Sequence, residues 1–301
     1  MADEILIFAN PIAGRGQGQR IAKRLASHLA SVGYVTHTLL KLPETLSRQE
    51  VVRPGVRAAV AIGGDGTLRA VADRLARECD EADCPVPPLL VVPLGTANLM
   101  GRHLGIKWNS RTLEREVARV LRAGKVVHLD AARCNGTLFL LMAGVGFDAH
   151  VVHELARVRT GPIRMTSYLL PAALAVTAYA YPPLTVSVDG KDIFSKTPGF
   201  AFVGNIAEYG TGFPILPHAR SDDGVLDVCV LPCRAPTDLV QLFLKAAAGE
   251  HLTVEGVVYV KGKHVRITSR EPAPVQLDGD SAGHTPVEID LLPVRLPFIV
   301  P

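Results

Sequence analysis

The chain has 301 residues, 48% of them hydrophobic and 20% charged, with a formal net charge of +3. That composition excludes a disordered chain, and the length favours two domains over a single core. The small net charge argues against a nucleic-acid binder, which carries a concentrated basic stripe, and leaves weak attraction to an anionic membrane open.

The opening MADEILIFAN is acidic and passes straight into an apolar run, with neither the basic n-region nor the cleavage site of a signal peptide. A cytoplasmic protein is expected. Its five cysteines, Cys79, Cys84, Cys134, Cys229 and Cys233, are odd in number and form no CxxC pair. Reduced thiols are therefore expected, ahead of a zinc site built on Cys229, Cys233 and a histidine.

The first 125 residues alternate between two periods. ILIFAN (5–10) predicts a buried strand, and Ile21, Ala22, Leu25, Ala26 and Leu29 then recur at helical spacing. YVTHTLL (34–40) and VRAAVAI (56–62) predict two more strands, followed by a helix carrying Leu68, Val71, Ala72 and Leu75. LLVVPLG (89–95) predicts a fourth strand, and Leu113, Val117, Val120 and Leu121 mark another helix. Such alternation implies an α/β domain, residues 1–125, with a mostly parallel, doubly wound sheet whose ligands bind at the carboxyl ends of the strands.

From residue 126 to 301 the texture changes to short β-rich runs punctuated by Asp189-Gly190, Asp223-Gly224 and Asp278-Gly279. An antiparallel β-sandwich or barrel-like domain is expected there, with helices in 163–181 and 236–249. The longest apolar stretch, SYLLPAALAVTAYAY (167–181), is short for a bilayer span and contains Pro171, so it reads as buried or lipid-adjacent.

Three glycine-rich stretches each follow a predicted strand. NPIAGRGQGQR (10–20) has neither dinucleotide-fingerprint nor Walker spacing, and alone it fits a tight strand–helix turn as well as a phosphate site. In GGDGT (63–67) the glycines allow close backbone approach and Thr67 offers a hydroxyl. The carboxylate of Asp65, misplaced beside a phosphate, has three candidate roles: holding Mg²⁺, binding a ribose, or ordering the loop by hydrogen bonding, of which the first fits a phosphoryl-transfer site best. PLGTANLMGRHLG (93–105) turns at Gly95 and Thr96 before a helix.

These motifs, in this order, resemble the catalytic domain of the diacylglycerol kinase family, in particular the soluble bacterial lipid kinases. The resemblance extends through AGVGFDAHVV (143–152), SDDGVLDV (221–228) and LDGD (277–280), nearly the whole chain. It implies an N-terminal nucleotide-binding α/β domain, a C-terminal β-sandwich, and an ATP- and Mg²⁺-dependent kinase acting on a lipid hydroxyl. It also implies roles by position. Asn10, Pro11, Ile12, Ala13 and Gly14, then Gly63, Gly64, Asp65, Gly66, Thr67, Leu68 and Arg69, then Thr96, match nucleotide-binding positions, with Thr38 a looser match. Asp223 matches a magnesium ligand, and the carbonyls of Arg220 and Val225 match its companions.

A lipid hydroxyl needs a carboxylate to accept its proton during transfer. Asp280 is the expected base, with Asp278 as orienter or metal-linked partner. In a continuing strand the two would share a face, a geometry that Gly279 can break. The family usually carries Glu at the position of Asp280 and Asn at that of Arg69. Those departures keep alive a catalytically inactive nucleotide- or lipid-binding protein. A soluble-substrate kinase such as an NAD kinase, which also carries GGDGT, is the other rival. His150 and His153, three apart, read as structural or solvated. Arg157, Arg159 and Arg164 read as a solvated face or as a membrane-facing lip. The expected partner is a lipid at the inner membrane surface, met by peripheral contact, and the oligomeric state stays open, a homodimer included.

Overall fold

The run Ile5–Ala9 is at most 2% exposed, and its burial on both faces is what a central parallel strand demands. The computed structural model describes residues 3–10, 13–157, 179–209 and 213–301. They form two compact units, 1–129 with 295–301, and 130–294.

The first unit is built from β1 (Glu4–Ala9), α1 (Ala13–Ser31), β2 (Val35–Leu39), the single turn α2 (Arg48–Val51), β3 (Val56–Gly63), α3 (Asp65–Glu81), β4 (Leu89–Pro93), α4 (Leu99–His103), α5 (Leu113–Ala123) and β5 (Val126–Leu129). The chain's last strand, Leu296–Ile299, completes its sheet, in the order β2-β1-β3-β4-last strand-β5. β1 pairs in parallel with β2 on one side and β3 on the other, and β3 with β4. The last strand runs parallel to β4 and antiparallel to β5. A linear division at residue 125 has no place for that return, because the hydrophobic pattern marks a strand without naming its sheet. The order reverses direction at β1 and β3, the topological switch point where α/β sheets bind ligands. Ile5, Ile7, Val60 and Ile62 meet Leu25, Leu29, Val117 and Leu121 from the helices in one core.

The second unit carries β6 (Ala132–Cys134), β7 (Thr137–Phe139), β8 (Met142–Val145), α6 (Phe147–Arg157), β9 (Pro183–Val188), β10 (Lys191–Gly204), β11 (Leu226–Pro232), α7 (Pro236–Ala247), β12 (Val258–Gly262), β13 (His264–Ser269), β14 (Pro274–Leu277), β15 (Asp280–His284) and β16 (Val287–Leu291). The first half of β10 pairs with β9, and its second half with β8 and β11. One long strand thus passes from one antiparallel layer to the other, as at the corner of a sandwich. Val186, Val203, Val228, Val265, Val275 and Ile289 fill the space between the layers. The helix expected over 163–181 falls largely outside the described residues, as do Arg159 and Arg164. The helix expected over 236–249 is α7.

Candidate functional site

In the first unit the switch point holds a cavity of about 200 Å³, lined by Phe8 and Ala9 of β1 and Asn10 just after it, Lys41 to Glu44 beyond β2, and Gly66, Thr67 and Ala70 of α3. The amides of Gly66 and Thr67 lie in the first turn of a 17-residue helix, where no intrahelical acceptor exists and the dipole favours an anion. Of the predicted nucleotide residues, Asn10, Gly66 and Thr67 line this cavity. Thr96 is exposed on the neighbouring loop, and Arg69 is half-buried on α3. Ala13 and Gly14 open α1, while Pro11 and Ile12 lie outside the described residues. Thr38, paired with Ile7, is exposed on the edge strand β2 and is not part of the cavity lining. Leu68 departs from its expected role. Its side chain is 1% exposed in the core and its amide donates to the Gly64 carbonyl at 3.0 Å, so neither faces a ligand.

Asp65 joins two of the glycine-rich loops. Its Oδ2 accepts from the Leu99 amide at 2.9 Å and its Oδ1 from the Met100 amide at 3.1 Å, both in the first turn of α4. Burial pushes this carboxyl up from its ordinary value, and the amide bonds pull the other way. Beside it, Gly64 and Gly95 touch backbone to backbone. A Cβ on Gly95 would lie 2.7 Å from the Gly64 Cα and 2.8 Å from Asn98 Oδ1. Asn98, at φ +48°, ties the turn shut by accepting from the Gly95 amide at 2.8 Å and donating to its carbonyl at 2.7 Å. These glycines serve the close approach of two loops.

In the second unit LDGD is not a continuing strand. Leu277 pairs with Asp280, and Asp278 and Gly279, at φ +52° and +86°, are the two turn residues between them. As the turn chemistry of Asp278-Gly279 implied, the strand breaks there, because Asp-Gly supplies the positive φ pair of a tight hairpin. The Asp278 carboxylate accepts from three main-chain amides, Leu140 at 2.9 Å, Leu141 at 2.9 Å and Met142 at 3.0 Å. Three of its lone-pair sites are taken up in fixing the turn. Asp280, half-buried, begins β15. His150 and His153 lie on α6 and line a cavity of about 260 Å³ with Tyr179, Pro274 and His284. His153 meets the Val275 carbonyl through Nε2 at 2.8 Å.

The turn 220–225 sits at the same end of the sheet. Leu277 pairs with Ala143, Ala143 with Val203 and Val203 with Val228. Three strand spacings make that roughly 14 Å. Buried Asp130 holds the turn, its Oδ2 accepting from the Gly224 amide at 2.7 Å and its amide donating to the Ser221 carbonyl at 2.6 Å. The Asp223 carboxylate with the Arg220 and Val225 carbonyls is an oxygen-only donor set that fits a hard divalent cation. A resident cation already competes for it. Lys261 Nζ stands 2.8 Å from Asp223 Oδ2 and 3.4 Å from Oδ2 of fully buried Asp227, whose other oxygen accepts from Tyr259 at 2.7 Å. Among the described residues no group of three or more His, Cys, Asp or Glu is arranged to hold a metal. Cys229 and Cys233 are buried, and burial pushes each thiol up to about 12.

Sequence reasoning missed Lys41, Asp130, Lys261 and Gln276. None sits in a glycine-rich motif, and only three-dimensional register brings them to the loops. Arg157 ends α6, and no helix of the described residues is long and apolar enough to cross a membrane.

Residues 4–134 match the family described as diacylglycerol kinase catalytic domain, and residues 142–300 match the YegS C-terminal NAD kinase beta sandwich-like domain. The chain is 33% identical to a protein of Pseudomonas aeruginosa named Probable lipid kinase YegS-like, over 77% of this chain and 72% of that one. It is 24% identical to the diacylglycerol kinase of Staphylococcus carnosus, over 93% and 89% of the two chains. A crystal structure of a diacylglycerol kinase from Bacillus anthracis superposes with a TM-score of 0.71 at 27% identity, covering 99% of this chain and 97% of that one.

Proposed function

This chain belongs to the diacylglycerol kinase family, and from that premise we propose that it transfers the γ-phosphoryl group of ATP to the hydroxyl of a lipid, diacylglycerol or a close relative, with Mg²⁺. The observation that carries the reading is the division of labour in the β14–β15 turn. Asp278 is occupied by three amides, which leaves Asp280 as the carboxylate of LDGD suited to take a proton. The lipid oxygen attacks the γ-phosphorus, its proton passes to Asp280, and the bond from the γ-phosphorus to the bridging oxygen breaks to release ADP. Asn10, Gly63 to Thr67 and Thr96 hold the nucleotide, with the α3 amides of Gly66 and Thr67 facing its phosphates. Arg69 supplies a positive charge near that helix end. Asp223 and the carbonyls of Arg220 and Val225 would hold Mg²⁺, which supplies charge neutralisation when bound. A lipid substrate places the protein at a membrane surface by peripheral contact.

The test is ATP consumption with Mg²⁺ against a panel of lipids in mixed micelles, with wild type and Asp280→Asn side by side. Turnover with one lipid, reduced about a hundredfold or more in the variant, supports the reading. Turnover that survives the variant removes Asp280 as base. Turnover with NAD and with no lipid gives the site to a soluble substrate, and bound ATP without turnover gives it to a binding protein.

A further inference from the structure

Asp148, the second residue of α6, is a carboxyl only 9% exposed that the proposed reaction leaves unused. An ionisable group in such a place is costly unless its partners need it. One partner is Tyr209, whose hydroxyl donates to Asp148 Oδ1. The other is Gln276, 1% exposed on β14. Gln276 pairs across the sheet with Gly144, and a Cβ on Gly144 would collide with both Asp148 Oδ2 and, at 2.7 Å, Gln276 Nε2. The bare Cα of Gly144 thus leaves the space in which the carboxylate oxygen and the amide nitrogen face each other. Both atoms are buried and neither completes a hydrogen bond with a described residue, while the Gln276 amide beside it still pulls the Asp148 carboxyl down. The orientation of the Gln276 amide follows, because its Oε1 accepts from the Gly279 amide at 2.8 Å. Gly279 is the turn residue immediately before Asp280.

We propose that Asp148 is a positioning residue for Asp280: through Gln276 it fixes the Gly279 amide and so the turn that presents the proton-accepting carboxylate. The inference rests on the reading of Asp280 as base. Asp278 clamps the turn to the start of β8, and Asp148 with Gln276 clamps it from the α6 side. Without Asp148 as acceptor, the Gln276 amide has no reason to keep its oxygen toward Gly279. In Asp148→Asn the Tyr209 bond survives, but two NH₂ groups confront each other. Gln276 then turns over and presents NH₂ to the Gly279 N–H.

That polarity argument gives a rescue. Gln276→Glu alone sets two carboxylates together. Combined with Asp148→Asn it restores a donor facing an acceptor, and leaves the second Glu oxygen to accept from Gly279. The experiment measures kcat and KM for ATP and lipid in wild type, both single variants and the double variant, together with the exchange rate of the Gly279 amide and thermal unfolding. Each single variant is expected to lower kcat about tenfold or more with KM for ATP unchanged, and to raise Gly279 exchange about tenfold. The double variant is expected to recover most of both. Single variants that keep kcat within twofold and Gly279 exchange unchanged overturn the proposal, as does a folded double variant that recovers neither. Amide exchange needs no turnover. If wild type proves inactive or Asp280→Asn proves active, the reading of the base fails by itself, and an Asp148→Asn variant with unaltered Gly279 exchange is what sinks the clamp.

Discussion

The carboxylate of Asp65 lies 2.9 Å from the amide of Leu99, and through that bond GGDGT holds the start of α4 in place. The second oxygen does the same for Met100. An aspartate beside the cavity at the switch point is thus an internal cap for a neighbouring helix, and two of the three glycine-rich loops become one rigid element. Asp65→Ala removes both acceptors and strands two amides, which costs about 2–4 kcal/mol. Thermal unfolding and ATP titration should show a lowered Tm and weakened nucleotide binding together. A folded Asp65→Ala protein with wild-type ATP affinity would show that the two loops are not coupled.

The contact between Gly64 and Gly95 predicts a sharp contrast between two substitutions to alanine. In Gly95→Ala the new Cβ meets the Gly64 Cα at 2.7 Å, and main chain cannot step aside as a flexible side chain can. A loss of about 2–3 kcal/mol is expected, with ATP binding impaired. Gly101→Ala, six residues on, meets only Pro93 side-chain atoms at 3.5 Å, ordinary contact inside α4. That variant should unfold within about 1 kcal/mol of wild type. Equal effects from the two would refute the close-approach argument.

Much of this was legible in the chain and some was not, for reasons that differ by element. β1, β3 and β4 declare themselves because both of their faces are buried, so each carries an unbroken apolar run, at 5–9, 58–62 and 89–92. Asp65 was legible as an anomaly, with loop ordering among its candidate roles, but its partners are 34 and 35 residues away and carry no side-chain signature. Leu68 shows the limit of transferring a motif whole: the segment faces a cavity, yet helical geometry turns this one side chain inward. Lys261 and Gln276 were invisible, since strand pairing alone brings them to the site and register is not written in local composition. The return of Leu296–Ile299 to the first sheet was hidden for the same reason.

The two acidic residues of LDGD should separate cleanly by measurement. Asp278→Asn retains one oxygen where three amides need acceptors, so its penalty belongs to stability, about 2–3 kcal/mol, with lost activity following the distorted turn. Asp280→Asn should leave Tm within a few degrees and act on kcat. A stable Asp278→Asn protein with no loss of Tm would mean that the three amide bonds are not what hold the turn.

Lys261 makes a prediction about the cation site that does not depend on turnover. Its ammonium neutralises Asp223 and Asp227, and those carboxylates hold its own pKa up. Lys261→Met leaves two carboxylates facing one another, Asp227 among them fully buried. Without divalent ions the variant should unfold at lower temperature than wild type. On adding millimolar Mg²⁺ its Tm should rise more than that of wild type, because the ion no longer competes with a tethered ammonium. An equal Mg²⁺ response in both proteins would place the divalent site away from Asp223.

Asp148 predicts a pH dependence of stability whose sign is fixed by burial. Desolvation raises its pKa from 3.8 to about 6, against the pull of Tyr209 and Gln276. A carboxyl with a raised folded-state pKa favours the folded protein while it is protonated. That contribution is complete below pH 4 and is lost as pH rises through 6. The displacement corresponds to about 3 kcal/mol. Asp148→Asn has no such titration. Urea unfolding of both proteins between pH 4 and 7.5 should therefore show the variant gaining on wild type as pH rises, by up to about 3 kcal/mol. The ionisable side chains near α6, His150, His153, Tyr209 and His284 among them, are present in both proteins. The slope of that difference carries the result, because the two opposed NH₂ groups of the variant add an offset that does not vary with pH. At pH 7 the two readouts then diverge: the substitution relieves a buried charge while releasing the turn before Asp280. A difference curve that is flat with pH would mean that Asp148 does not titrate in this range.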